Sequence, residues 1–168
     1  MRITVLSAAV GLMVLTLSTA LVAQRPDDQI DAKSMALLQQ GRAEQAAGNL
    51  DGATDVLESA LAVDPRNRMA FVALAEISRA RGLPGKAIRF YHEALLLEPN
   101  DASALRAQGE AMVAKGAVEK AKENLAKIKA ICANQCGDAT QLAAVIAKGP
   151  PITTAQATTP AVTPTQKP

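Results

Sequence analysis

The chain has 168 residues, 49% of them hydrophobic but only 2% aromatic. That bounds it to one domain plus two ends, with a core of Ala, Leu, Val and Ile in closely packed helices rather than one of large rings. Its 18 basic and 16 acidic residues leave a net charge of +2 and are scattered, not striped, which excludes a nucleic-acid-binding role and a docking face for anionic membranes.

At the amino terminus Arg2 is followed by an uncharged apolar run from Ile3 to Val22 that closes in small residues around Ala20 and Ala23. This is the layout of a secretory signal peptide, assigned to residues 1–23. Cleavage after Ala20 leaves Ser18 and Ala20 at the two small sites, whereas cleavage after Ala23 puts Leu21 at the outer one. The alternative is an uncleaved membrane anchor, since about 20 apolar residues also span a bilayer. Residues 24–33 are a lead-in. Asp27, Asp28 and Asp31 within it lack the Gly turn and closing Glu of a calcium loop and read as a solvated helix start.

Beyond the lead-in the sequence repeats itself every 34 residues. Gly41, Ala75 and Gly109 stand at that spacing, as do Gly48, Gly82 and Gly116, Ala53, Ala87 and Ala121, the pair Ala60 and Ala94, and the pair Pro65 and Pro99. Each unit predicts a helix, a Gly-containing turn and a second helix ending at a Pro-containing break. The units are 34–67, 68–101 and 102–131. In the first, the helix from Ser34 to Ala47 stops at Gly48-Asn49 and Asp51 is positioned to cap the next. In the second, Asn67 is the cap and Pro84 restarts the chain in a first turn, where its missing N–H costs nothing. The third starts after Asp101, turns at Gly116 and carries Val118, Ala121, Leu125 and Ile128 on one face.

These positions resemble the tetratricopeptide repeat. Gly41, Ala53, Leu57, Ala60 and Pro65 carry the resemblance in the first unit, and Phe71, Leu74, Ala75, Ala87, Tyr91, Ala94 and Pro99 in the second. In the third, Leu105, Gly109, Ala121 and Leu125 fit, but Ile128 stands where a small residue is expected and Ala133 replaces the proline, as in a terminal repeat. The resemblance implies an all-α fold: a solenoid of three helix-turn-helix repeats. It also implies a concave surface lined by the first helix of each repeat, with Leu38, Arg42 and Gln45, then Met69, Val72, Glu76 and Arg79, then Arg106, Glu110 and Val113 facing it. Mixed charges with apolar anchors suit a protein or peptide partner. The set does not match the Lys/Asn constellation with which some repeats of this family clamp a terminal carboxylate.

After the repeats, Cys132-Ala-Asn-Gln-Cys136-Gly137 interrupts the pattern, and Asp138 is expected to cap a helix over 138–148 with Leu142, Val145 and Ile146 on one face. That helix has the spacing to cover the open end of the last repeat. In an exported chain the two thiols are expected to form a disulfide staple. Redox catalysis is the competing reading, disfavoured because the pair is expected to end a helix, where the dipole opposes the thiolate. Residues 149–168 are mostly Pro, Thr, Ala and Gln with Lys167 as the one charged side chain, an expected disordered tail.

The single histidine, His92, leaves no parts for a His-based metal site or a Ser/His/Asp arrangement and reads as a surface residue. The glycines sit singly at turns and form no phosphate loop. The sequence therefore leads to the expectation of a non-enzymatic interaction module without cofactor, metal or small-molecule substrate. It is expected to be exported, periplasmic in a Gram-negative source, to act in envelope-complex assembly and to be capable of self-association. The alternatives are a thiol/disulfide redox protein using Cys132 and Cys136, or a membrane-tethered assembly factor.

Overall fold

The computed structural model describes residues 29–132 and 136–151. The expected signal peptide or anchor, Asp27 and Asp28, and the tail beyond residue 151 lie outside them. The described residues form α1 (Ala32–Ala46), α2 (Leu50–Val63), α3 (Arg68–Ala80), α4 (Pro84–Leu97), α5 (Ala102–Ala114), α6 (Val118–Cys132) and α7 (Gly137–Lys148). Helices pair as α1 with α2, α3 with α4 and α5 with α6, and the hairpins stack through α2 on α3 and α4 on α5. The result is an all-α helical-repeat solenoid whose far end is covered by α7, packed on α5 and α6.

The hairpin turns follow from their glycines. Gly48, Gly82 and Gly116 all have positive φ, at 81°, 69° and 87°, a conformation that a Cβ would strain. Because Gly48 ends α1 in this way, the next residue opens α2. Asn49, not the expected Asp51, is its cap, with Oδ1 accepting from the Gly52 N–H at 3.1 Å, and Asp51 falls in the first turn. Asn67 and Asp101 cap α3 and α5 in the same manner, and Pro84 begins α4. The cap of α7 also differs from expectation. Cys136 occupies it without a side-chain bond, and Asp138 lies inside the helix, where its carboxylate is taken by Arg106.

The core is built from small residues with leucines between them. Leu38, Leu57, Ala60, Leu74 and Ile77 form one cluster, Ala75, Ala87, Tyr91, Ala107 and Ala111 the next, and Leu105, Ile128, Ala139 and Leu142 the last. Gly41 and Gly109 occupy one repeat position but serve different contacts. A Cβ on Gly41 would lie 2.6 Å from Leu57 Cγ, within the first hairpin, whereas one on Gly109 would lie 2.8 Å from both Leu142 Cδ atoms of α7. Buried polar groups tie the layers together. Ser34 Oγ donates to the Ala60 carbonyl and receives Asn67 Nδ2, both at 2.8 Å. Asn124 Nδ2 donates to the Leu105 carbonyl and to Gln108 Oε1, and Gln108 Nε2 to the Ile88 carbonyl, joining α6, α5 and α4. Paired in this way, these groups escape the penalty of unsatisfied burial.

Asp64, 4% exposed at the end of α2, gives the fold an acid-sensitive point. Burial pushes its carboxyl up, but the Arg66 backbone N–H and guanidinium and the Asp31 N–H outweigh burial and hold it below the usual value of 3.8. A depressed carboxylate stabilises the fold above its unfolded pKa, and that contribution is lost as pH falls through its folded pKa. The melting temperature of the wild type should therefore fall as pH drops below about 4, and Asp64→Asn should have a lower melting temperature at pH 7 and a flatter fall. An unchanged acid profile in the variant would remove Asp64 from this role.

Candidate functional site

The first helices of successive units, α1, α3 and α5, carry all ten of the expected partner-binding residues. α1 touches α3, α5 touches α7, and α3 is joined to α5 by ions. Arg79 Nη2 meets Glu110 Oε2 at 2.7 Å, Glu110 Oε1 meets Arg106 Nη1 at 2.6 Å, and Arg106 Nε meets Asp138 Oδ1 at 2.7 Å. These four side chains form a ladder across three helices, and only Arg79 exceeds one third exposure, at 38%. Burial works against the charged form of both arginines, yet their pKa values are raised, by the Tyr91 hydroxyl and Glu110 for Arg79 and by Asp138 and Glu110 for Arg106.

Behind the ladder stands Tyr91 of α4, 1% exposed. Burial raises its pKa, the Arg79 guanidinium opposes that rise, and the carboxylates of Glu76 and Glu110 add to it. The hydroxyl is close enough to Arg79 to feel its charge but makes no hydrogen bond among the described residues.

The other expected residues divide into open and buried. Arg42 and Gln45 on α1 are half-buried, Glu76 on α3 is exposed, and neither Arg42 nor Glu76 enters an ion pair among the described residues. Met69 and Val72 keep part of their surface while packing on the first and second core clusters. Leu38 and Val113 are corrections. At 1% and 2% exposure they belong to the interior and present nothing to a partner. Leu38 is one of three buried residues of α1, with Ser34 and Gly41, and joins Leu57 and Leu74 in the first core cluster, while Val113 is buried near the close of α5. Asp138 and Tyr91, not assigned to this face from sequence, complete its polar centre.

His92 is exposed on α4. Cys132 and Cys136 lie side by side, their Cα atoms 5.5 Å apart, within the span that a disulfide requires. The expectation that this pair ends a helix holds for Cys132 alone, because Cys136 is the cap of α7, at the positive end of that helix. Among the described residues no group of three or more His, Cys, Asp or Glu is arranged to hold a metal ion, and no helix is long and apolar enough to cross a membrane.

A tetratricopeptide-repeat family model matches residues 34–77. No curated protein sequence matches the chain. Among solved structures, the chain is similar to the first TPR of Spaghetti (RPAP3) bound to the HSP90 peptide SRMEEVD, with 22% identity, a TM-score of 0.64, and coverage of 71% of this chain and 94% of that one. It is also similar to the Yersinia enterocolitica type III secretion chaperone SycD in complex with a peptide of the translocator YopD, at 18% identity and TM-score 0.61, covering 71% and 98%. The Sgt2 TPR domain from Aspergillus fumigatus matches at 21% identity and TM-score 0.64, covering 77% and 83%. At such identities the likeness establishes the fold, that of tetratricopeptide repeats.

Proposed function

We propose that this tetratricopeptide-repeat chain is an interaction module, not an enzyme, that holds a polypeptide segment along the face made by α1, α3 and α5. The observation that carries this reading is that the face keeps Arg42, Gln45, Met69 and Glu76 accessible on adjacent helices while the opposite sides of those helices form the core. Two proteins of the same fold, the Spaghetti repeat and SycD, are described with bound peptides, which supports the same use here. The apolar run from Ile3 to Val22 with small residues after it supports export. We therefore propose a periplasmic setting in a Gram-negative source, and work in envelope-complex assembly.

The test is a peptide-display selection on the full chain, followed by affinity measurement against Arg42→Glu combined with Glu76→Arg. Neither residue has an ion-pair partner among the described residues, so the variant should keep its circular dichroism and melting temperature. Selected peptides should bind it about tenfold more weakly, the effect of losing roughly 1.4 kcal/mol at a charged anchor. Equal affinity for both proteins would move the working surface elsewhere.

A second reading, thiol–disulfide exchange, is favoured by one observation, the location of Cys136 at the start of α7, where a helix dipole promotes the thiolate. A measured reduction potential separates the two. A value below about −300 mV marks a structural staple, and one near those of oxidoreductases, above about −270 mV, marks an exchanging pair.

A further inference from the structure

A cleft of about 320 Å³ opens between α4 and the turn joining α5 to α6, lined by Ile88, Met112, Lys115, Gly116, Ala117 and Lys120. None of the residues of the α1/α3/α5 face contributes to it. Its chemistry is also different from that face. Ile88, Met112 and Ala117 supply an apolar floor, and Lys115 and Lys120 are the charged groups in its lining. Where Arg79 and Arg106 are neutralised by Glu110 and Asp138, these two lysines make no ion pair among the described residues. Across the cleft α4 has Gly85, where even a Cβ would lie 3.6 Å from Lys115 Nζ, so the ammonium reaches over the helix at a point where no side chain screens it. Lys86, the next residue of α4, is turned onto the Phe90 ring, 5.5 Å from its centroid, and so is engaged elsewhere.

We infer that this cleft is a docking site for an acidic polypeptide segment, which inserts one apolar side chain between α4 and the α5–α6 turn and sets carboxylates on Lys115 and Lys120. The volume is at the lower end of the range for small ligand pockets, roughly 300–1,000 Å³, room for a Leu- or Phe-sized group and not for an acyl chain. Two unpaired ammonium groups beside an apolar floor favour a carboxylate close in sequence to the inserted residue, and they impose a salt dependence on binding. A membrane surface is a poorer match, since stable adsorption draws on clusters of four or more basic residues or a large apolar face. The site does not depend on the peptide reading of the α1/α3/α5 face.

The test uses the full-length chain labelled with nitrogen-15 and titrated with a synthetic Asp-Glu-Leu-Phe-Asp-Glu peptide. Two control peptides carry Asn and Gln in place of the acids, or Gly in place of Leu and Phe. Saturable amide shifts are expected at residues 85–88 and 112–120, weaker at high salt, and at least about fivefold weaker affinity for either control. Lys115→Glu with Lys120→Glu, both at the surface, should lower affinity about tenfold or more with unchanged melting temperature. Ala117→Met, which fills the floor without altering charge, should do the same. The proposal fails if no saturable shift occurs, if the shifts fall on Arg42 and Glu76, if the charge-reversed protein binds equally, or if the Gly control binds as well as the parent peptide. It also fails if phosphatidylglycerol vesicles, and not the peptide, bind in a Lys115- and Lys120-dependent way.

Discussion

Replacing Gly109 by Val should lower the stability of the folded chain by about 3 kcal/mol, the upper part of the usual range for overpacking a filled interior. The cause is local. Leu142 of α7 projects both Cδ atoms into the space that the missing side chain leaves, and a Cβ there would stand 2.8 Å from each. Leu142 is itself fully buried, at 0% exposure, so α5 and α7 cannot separate slightly without opening the last core cluster. Leu142→Ala alone should cost about 2–5 kcal/mol through lost burial and a cavity. The two changes together should be less damaging than their sum, because the Val then occupies volume that the Ala vacates, with a coupling of about 1–3 kcal/mol. Urea melts of the four proteins check this. Additive effects would mean that Gly109 and Leu142 do not meet and that α7 is seated by other contacts.

Much of this arrangement was legible in the sequence because it repeats. A period of 34 aligns Gly48, Gly82 and Gly116, and only residues free to adopt positive φ mark the hairpin turns so regularly. The helix pairs and their small-residue contacts follow. Caps were less legible, because competent capping residues stand two positions apart. Asn49 and Asp51 can both cap a helix, and the left-handed turn at Gly48 selects the first. At α7, Asp138 has the composition of a cap, but Arg106 offers it a charged partner and the helix opens at Cys136. The candidate face divides along the same line. The family resemblance assigned Arg79, Arg106 and Glu110 to the face of the first helices. It could not reveal that they bind one another, since Arg79 and Glu110 are 31 residues apart and Arg106 and Asp138 are 32 apart, and such pairing depends on how far each helix is rotated. The same rotation buried Leu38 and Val113. The lysine-rimmed cleft left no sequence signal, because Lys115 and Lys120 look like any solvated lysines beside a turn.

Glu110→Ala should destabilise the chain by about 2 kcal/mol, although the residue lies on the face expected to meet a partner. Its carboxylate accepts from both Arg79 and Arg106 at 2.7 and 2.6 Å and is 14% exposed. Hydrogen bonds to charged groups contribute roughly 1.5–3 kcal/mol each when protected, and partial exposure of the arginines discounts that toward the lower value. Removal also takes from Arg79 its carboxylate partner and leaves Arg106 with Asp138 alone. Glu110→Gln keeps an acceptor and should recover part of the loss. Glu119→Ala, whose pair with Lys122 is largely in solvent, should change stability by no more than about 0.5 kcal/mol. Thermal melts at low and high salt decide the matter. If Glu110→Ala and Glu119→Ala are equally mild, the ladder is a surface decoration and its arginines are free for a ligand. If Glu110→Ala is the costlier, Arg79 and Arg106 hold α3, α5 and α7 in register. On the proposed reading, partner recognition then falls to Arg42, Gln45 and Glu76, since Met69 also packs on the first core cluster.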